Sequence, residues 1–232
     1  MRPLTGLFPF SLSLCLLAAA CTPAKMQVPA DLTVQAEVIP VTQRSRMTGA
    51  LANESFTLGP YAVGNVDRKW NSSQSLSIGT WSSGNTVGGY TFTFTSPEGT
   101  AQGRCATEAG SKAITLGGGF AVENEMAKLG CSCRGSAASS WVVLDSPEQR
   151  EYLGTVQTRA GQSEMRSIHT MQGTSLRNTA PMGYELRAQH TIAAIEVAHP
   201  GRAWFSTLLD PAARADIACL FAGLLLYQPP RD

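Results

Sequence analysis

Four cysteines beyond residue 100 are the residues best suited to chemistry: Cys105, Cys131, Cys133 and Cys219. Cys131 and Cys133 are two residues apart, so that on a strand both side chains point to the same face. This spacing makes a mutual bond awkward, whereas a cysteine on a neighbouring strand forms a disulfide readily in an oxidising compartment. We therefore expect Cys105 to bond to one of these two residues, which would contribute about 3 kcal/mol of stability.

A metal site is the alternative use of these thiols, and unpaired thiols are a third possibility. Structural zinc sites use paired Cys-x-x-Cys spacings, which the sequence lacks. We therefore assign no metal ligand and expect no cofactor. Cys219 lies in an apolar segment, where we expect it to be a small buried hydrophobe.

Three histidines, His169, His190 and His199, are the candidates for acid–base catalysis. A nucleophilic triad needs one of them beside Ser or Cys, with a carboxylate that orients the imidazole. The sequence has no Gly-x-Ser-x-Gly elbow and no His-Glu-x-x-His motif. His190 precedes an apolar run and His199 precedes Pro200, which are positions typical of turns and strand edges. No catalytic residue is therefore assigned.

Glu196 and the tryptophans also invite a functional interpretation. Glu196 lies between Ile195 and Val197, and strand alternation makes it a solvent-facing or paired carboxylate rather than a general acid. The tryptophans are spread along the chain, which favours core or barrel-rim anchors over a ligand-stacking platform. They are Trp70, Trp81, Trp141 and Trp204.

Short β-prone runs, separated by clusters of Gly, Pro, Ser and Asn, are the elements that must position these residues. Residues 90–95 alternate aromatic residues with threonines, and residues 31–42 place Leu32, Val34 and Val38 on one face. The other runs are 55–66, 75–81, 101–107, 127–133, 141–144, 152–158, 165–171, 184–188, 191–197 and 203–207. Because no β-α-β alternation is present, the pattern predicts a mainly β fold, an antiparallel barrel or sandwich.

The segment 211–228 breaks this pattern and predicts one helix. Asp210 and Pro211 are a typical N-cap and first-turn proline, and Pro229 follows its end. Residues 217–227 are apolar on every side but rise only about 16 Å, half of a hydrocarbon core about 30 Å thick. We therefore predict a core helix enclosed by strands, where Gly223 permits close approach of the sheet.

The charge balance excludes some partners. The chain has 18 Lys and Arg residues against 17 Asp and Glu residues, so no basic field exists to hold nucleic acid. Its 43% hydrophobic content is sufficient for a buried core. We therefore expect a globular domain with a nearly neutral surface and no nucleic-acid partner.

The N-terminus has the pattern of a secretory signal peptide over residues 1–20. Arg2 supplies a positive charge, and residues 7–20 are uncharged but too short to span a bilayer. The following sequence, residues 17–21, resembles the lipobox of bacterial lipoproteins and ends in Cys21. The resemblance implies that the Cys21 thiol receives a diacylglycerol and becomes the new N-terminus. The alternative is cleavage at an ordinary Ala-x-Ala site, which would release a soluble periplasmic protein.

The lipoprotein resemblance also implies a location. Thr22, rather than Asp, follows Cys21 and implies sorting to the outer membrane, with the protein facing the periplasm or the exterior. We expect residues 21–30 to be a lipid-anchored tether and residues 31–232 to be a single β-rich domain. The membrane is then a partner through the N-terminal lipid.

Many short strands closed by an apolar C-terminal helix resemble the tubby-like family, which includes the LURP-one-related and scramblase proteins. The resemblance implies a closed barrel of about 12 strands around the helix. No phosphoinositide-binding Lys/Arg pair is found to carry over. The function expected is therefore a non-enzymatic binding or structural domain at the cell envelope, with a lipid or protein partner. The alternative is a periplasmic hydrolase with an unrecognised His-dependent site.

Overall fold

The computed structural model describes residues 24–46, 54–68, 77–78, 81–82, 86–116, 120–146 and 151–227. The expected signal peptide, Cys21 and Trp70 lie outside these residues. The described part contains two helices, α1 (Ala30–Thr33) and α2 (Pro211–Leu226). Its strands are β1 (Ala36–Thr42), β2 (Phe56–Leu58), β3 (Tyr61–Asp67), β4 (Ser77–Ile78), β5 (Trp81–Ser82), β6 (Thr86–Ser96), β7 (Gly99–Leu116), β8 (Phe120–Gly135), β9 (Ser139–Ser146), β10 (Leu153–Thr158), β11 (Gly161–Ile168), β12 (Gly183–Arg187), β13 (Thr191–Glu196) and β14 (Arg202–Ser206).

Twelve strands close into a barrel in the order β1-β14-β13-β12-β11-β10-β9-β8-β7-β6-β3-β2, while β4 and β5 form a separate two-stranded sheet. The barrel pairings are antiparallel, which confirms the predicted fold class and selects the barrel over the sandwich. The aromatic residues whose alternation predicted a strand over 90–95 all face the core, where Tyr90, Phe92 and Phe94 are buried. Closure leaves no barrel edge open along the ring.

Helix α2 lies inside the barrel. Of its 16 residues, 13 are buried, on all sides of the helix. Phe221 packs on Phe205 of β14 with ring centroids 5.7 Å apart, while Cys219 is bonded to Cys133 of β8. Since β8 and β14 are six positions apart in the ring of twelve, the helix contacts opposite walls. The predicted enclosed helix is therefore confirmed, and it ends at Leu226 rather than at residue 228.

The connections between strands differ in length at the two ends of the barrel. Helix α2 begins at what we call the entry end, where short turns follow β2, β6, β8, β10, β12 and β14. It finishes at the exit end, where the longer connections after β1, β3, β9 and β11 are found. No helix in the described ranges is long and apolar enough to cross a membrane.

The strand predicted over residues 31–42 is correct only in its second half. Residues 30–33 form the helical turn α1, and β1 begins at Ala36. Val34 and Val38 are 84% and 51% exposed, whereas Ile39 and Val41 enter the core. The helical turn interrupts the alternation, so the face predicted from Leu32 onward does not continue into the strand.

Residues that precede α1 also bond to the barrel. Met26 is buried, and its backbone N–H donates to the Glu196 carboxylate at 2.7 Å. Gln27 N–H donates to the Thr170 carbonyl, and Gln172 N–H donates to the Lys25 carbonyl. Residues 25–33 thus form an N-terminal strap on the outside of the barrel.

Candidate functional site

The cysteines join the barrel wall to itself and to the helix. Cys105 of β7 and Cys131 of β8 are cross-strand partners and form the disulfide expected from their spacing. Cys133, two residues further along β8, bonds to Cys219 of α2. The expectation that Cys219 is only a buried hydrophobe is therefore wrong. The sequence distance of 86 residues concealed this pair, which the enclosure of the helix brings together.

Gly223 of α2 faces the first of these disulfides. A Cβ atom at this position would lie 2.9 Å from Sγ of Cys105 and 3.1 Å from Sγ of Cys131. Such contacts are closer than packed side chains allow, and a disulfide has little freedom to move. The glycine is therefore required by close approach of the wall, as predicted from its place in the apolar helix.

We expect Gly223→Ala to destabilise the fold by about 1–2 kcal/mol, since overpacking outweighs the gain of about 1 kcal/mol in helix propensity. Urea unfolding of the oxidised protein measures this change. The matched control places Gly223→Ala in a Cys105→Ala/Cys131→Ala background, where the sulfur atoms are gone and the substitution is expected to be neutral or stabilising. An equal cost in both backgrounds would refute the proposed contact.

The entry end of the helix is fixed by one buried carboxylate. Asp216 is fully buried, and its oxygens accept the backbone N–H groups of Ser139 and Arg159, each at 2.8 Å. The Arg159 guanidinium donates to both oxygens, and it also donates to the Ala137 carbonyl. The Asp216 carboxylate raises the pKa of Arg159 further, chiefly through these hydrogen bonds. A buried charge is tolerated here because it is paired and fully hydrogen-bonded.

Two arginines satisfy the carbonyl groups at the exit end of the helix. Arg44 donates to the Leu225 carbonyl at 2.6 Å, and Arg68 donates to the Leu226 carbonyl at 2.9 Å. Arg68 also forms an ion pair with the buried carboxylate of Glu54. Burial lowers the pKa of Arg44 from its ordinary value. Positive charge at a helix C-terminus is favourable, because the last carbonyls have no partners within the helix.

Tyrosines complete the polar contacts at this end. Tyr90 donates its hydroxyl to the Gly223 carbonyl at 2.7 Å, and the Tyr152 and Tyr227 hydroxyls lie 3.1 Å apart. Burial raises the pKa of Tyr90 and Tyr227 well above that of an ordinary phenol. The Tyr90 and Tyr227 hydroxyls therefore stay protonated, and Tyr90 acts as a fixed structural donor.

One Ser–His pair is present in the described residues of β11 and its following loop. His169 Nε2 lies 2.9 Å from Ser167 Oγ, and His169 Nδ1 lies 2.9 Å from the Asn178 carbonyl. A carbonyl oxygen only accepts, so Nδ1 carries a proton; in the imidazole tautomer protonated only there, Nε2 accepts the Ser167 hydroxyl. This is the hydrogen-bond direction that a serine nucleophile and its base require.

Other features of the pair favour a structural role. The orienting group is a backbone carbonyl rather than a carboxylate, and His169 is 4% exposed. Ser167 Oγ also accepts the backbone N–H of Tyr152 at 2.8 Å, so the hydroxyl links two neighbouring strands. This pair leaves no signal in the sequence, because the group that orients the His169 imidazole is the main-chain carbonyl of Asn178.

The other candidate residues named from the sequence have structural roles. His190 and His199 are exposed in connections between strands, as expected. Glu196 is 5% exposed and pairs with Arg202, which makes it the paired carboxylate of the alternatives considered. Trp204 is 5% exposed in a cluster beneath the N-terminal strap.

A polar depression lies on the barrel wall over β8, β9 and β10. It has a volume of about 420 Å³, and Trp141, Arg134 and Gln157 line it together with Arg159. Trp141 is only partly buried there. The Arg159 side chain in this depression is already hydrogen-bonded to Asp216. The other lining residues offer hydrogen-bonding groups to a polar partner.

Comparisons with protein-family models, curated proteins and solved structures find no match to this chain.

Proposed function

We propose that this chain is a cell-envelope lipoprotein, anchored in the outer membrane through Cys21, whose barrel is a non-enzymatic binding or structural domain. The observation that carries the proposal is the helix that fills the barrel, with opposite walls contacting it. Hollow barrels hold ligands in the lumen, whereas a filled one leaves only its surface and ends for partners. A lipid or protein partner therefore has to bind outside the barrel.

Two disulfides support the envelope location. The Cys105–Cys131 and Cys133–Cys219 bonds together use all four cysteines that follow Cys21. Disulfides form and persist in the periplasm and at cell surfaces, and they are rare in the bacterial cytosol. Cys21 is then the one thiol of the mature chain left for lipid attachment.

The proposed resemblance to the tubby-like family rests on the order of the elements. A 12-stranded barrel is followed in the chain by the helix that occupies its lumen. We propose no phosphoinositide site by this resemblance, because no basic pair of residues carries over.

The proposed lipid anchor is tested by replacing the Cys21 sulfur atom, to which the lipid would be attached. With the native Cys21, we expect the mature protein to begin at this residue, to carry acyl chains by mass spectrometry, and to fractionate with outer membranes. Cys21→Ser should release the protein or trap the uncleaved form. A Cys21→Ser protein that is processed and remains membrane-bound like the native chain would contradict the lipoprotein proposal.

A periplasmic hydrolase is the second candidate, favoured by the 2.9 Å contact between Ser167 and His169. A fluorophosphonate probe forms a covalent bond with an activated serine hydroxyl, so it distinguishes the two functions directly. The non-enzymatic proposal expects no labelling of Ser167 in the folded protein. Labelling that disappears in both Ser167→Ala and His169→Ala variants, with folding intact, would replace it with the hydrolase.

A further inference from the structure

The depression over β8, β9 and β10 is built around a row of side chains on the outer wall of the barrel. Ser132 of β8 is paired with Trp141 of β9, which is paired in turn with Gln157 of β10. The next residues along these strands, Val142 and Val156, enter the core, so strand alternation turns the row outward. Directly paired residues have Cβ atoms about 4.5–5.5 Å apart. The indole of Trp141 therefore has a hydroxyl group on one side and an amide group on the other.

Arg134 brings a positive charge to this row. It is exposed, lines the depression, and forms no hydrogen bond or ion pair within the part of the chain that the structure describes. Its partner on β9 is Ser139, two residues before Trp141, and such diagonal positions lie about 7–8 Å apart. The guanidinium of Arg159 is neutralised by Asp216, and none of the described lining residues is acidic. The depression therefore favours an anionic group beside the indole.

Other lining side chains are held in place by the protein itself. The Gln157 side-chain N–H donates to the Thr158 carbonyl at 2.9 Å, which orients the amide and leaves its oxygen as an acceptor for a ligand. The Ser140 hydroxyl donates to the Asp216 main-chain carbonyl at 3.0 Å. The Ser132 hydroxyl has no hydrogen-bond partner among the described residues. Side chains that are already fixed lose little conformational entropy when a ligand binds.

A sugar ring that carries a carboxylate matches these groups. The face of a pyranose ring presents C–H groups that pack on an indole, while the hydroxyls around its rim need hydrogen-bonding side chains. A protein partner needs an apolar interface core, whereas seven of the nine described lining residues have polar side chains. The volume of about 420 Å³ lies within the range of small-ligand sites, about 300–1,000 Å³. The residue types and the size of the depression therefore favour a sugar over a protein surface.

We propose that this depression binds a glycan through a carboxylate-bearing sugar unit, whose ring stacks on Trp141 and whose carboxylate bonds to Arg134. A guanidinium bonds a carboxylate through two parallel hydrogen bonds, which adds specificity as well as affinity. The proposal names a ligand for the binding domain proposed above and rests on that role, but it does not rest on the anchor at Cys21. Uronic-acid polysaccharides and the muramic acid of the cell wall are two sources of this chemistry.

Calorimetric titration of the mature chain with Cys21→Ser, isolated from an oxidising compartment, tests the ligand class. The probes are trigalacturonate, its methyl ester and N-acetylmuramic acid. We expect trigalacturonate to bind about tenfold more tightly than its ester, because the ester cannot form the charge-assisted hydrogen bonds with Arg134. Tighter binding of N-acetylmuramic acid than of trigalacturonate would support the site with the cell wall as the source, and the reverse order would support it with a uronic-acid polysaccharide. Binding of none of the probes would overturn the proposal and leave the depression to a protein partner.

Variants at the two central residues distinguish ligand contacts from a structural role. Arg134→Gln should weaken the binding of trigalacturonate about tenfold and leave the binding of its ester unchanged. Trp141→Ala should weaken the binding of both, whereas Trp141→Tyr keeps an aromatic face and should retain most of the affinity. Arg177→Gln is the matched control and should bind like the parent, because this arginine is 61% exposed in the connection after β11 at the exit end.

Equal affinity of the parent and Arg134→Gln for trigalacturonate, with folding of both confirmed by urea unfolding, would overturn the proposal. This result would leave the lipid anchor and the filled barrel untouched, because neither contributes to the titration. Conversely, failure of cellular lipidation at Cys21 would contradict the proposed anchor and leave the sugar titrations standing.

Discussion

Asp216→Ala should destabilise the oxidised protein by about 3–5 kcal/mol, the cost of removing one partner from a buried charge pair. The substitution leaves the N–H groups of Ser139 and Arg159 without their acceptor at the entry end of the helix. It also removes the counter-charge of the Arg159 guanidinium. Urea unfolding followed by tryptophan fluorescence measures the change. Asp216→Asn keeps the shape and some acceptor capacity, so we expect an intermediate loss.

Asp145→Ala is the matched control for this prediction. Asp145 also pairs with a basic residue, Lys128, but its side chain is 59% exposed. Exposed pairs contribute about 0–1 kcal/mol, so this variant should remain close to the parent. If Asp216→Ala is as stable as Asp145→Ala, the buried carboxylate does not hold the helix in the barrel.

Loss of the Cys133–Cys219 disulfide should have an effect of similar size. The bond closes a loop of 86 residues, for which loop entropy gives about 4–5 kcal/mol, and it joins the helix to the wall. The Cys105–Cys131 bond spans 26 residues within one hairpin and corresponds to about 3–4 kcal/mol. We therefore expect Cys133→Ala/Cys219→Ala to unfold at lower urea concentration than Cys105→Ala/Cys131→Ala.

The order in which the two double variants unfold in urea tests the contribution of the helix–wall disulfide. Both variants lose one disulfide and two sulfur atoms from the core, so the packing cost is matched. Full reduction of both disulfides in the parent should lower the free energy of unfolding more than either double variant does. The reverse order, with the hairpin disulfide dominant, would indicate that Cys219 contributes little to holding the helix.

The strands and the helix were predictable from local sequence because local forces set them. Alternation at residues 90–95 and the turn residues between the β-prone runs predict a β fold. The apolar run 217–227 is too short to span a bilayer and therefore indicates a helix buried in protein. Alternation failed at Val34 and Val38, where a helical turn interrupts the strand. A two-residue period cannot by itself say which face enters the core.

The contacts that define the lumen were not predictable, because they depend on barrel closure. Arg44 and Arg68 lie in the connections after β1 and β3, and nothing in their local sequence assigns them to helix carbonyls. The bond from Cys133 to Cys219 likewise appears only when the helix is placed between the walls. The Ser167–His169 pair was missed because a main-chain carbonyl, at Asn178, orients the imidazole.

Non-reducing peptide mapping of the mature protein, isolated from an oxidising compartment, tests the filled barrel most directly. Because Cys131 and Cys133 remain in one peptide, we expect one cluster of three linked peptides, which carry Cys105, the Cys131/Cys133 pair and Cys219. The link to Cys219 requires the helix to lie against the inner face of β8. Recovery of Cys219 as a free thiol, or its bonding to a second molecule, would contradict the helix-filled barrel on which the proposed function depends.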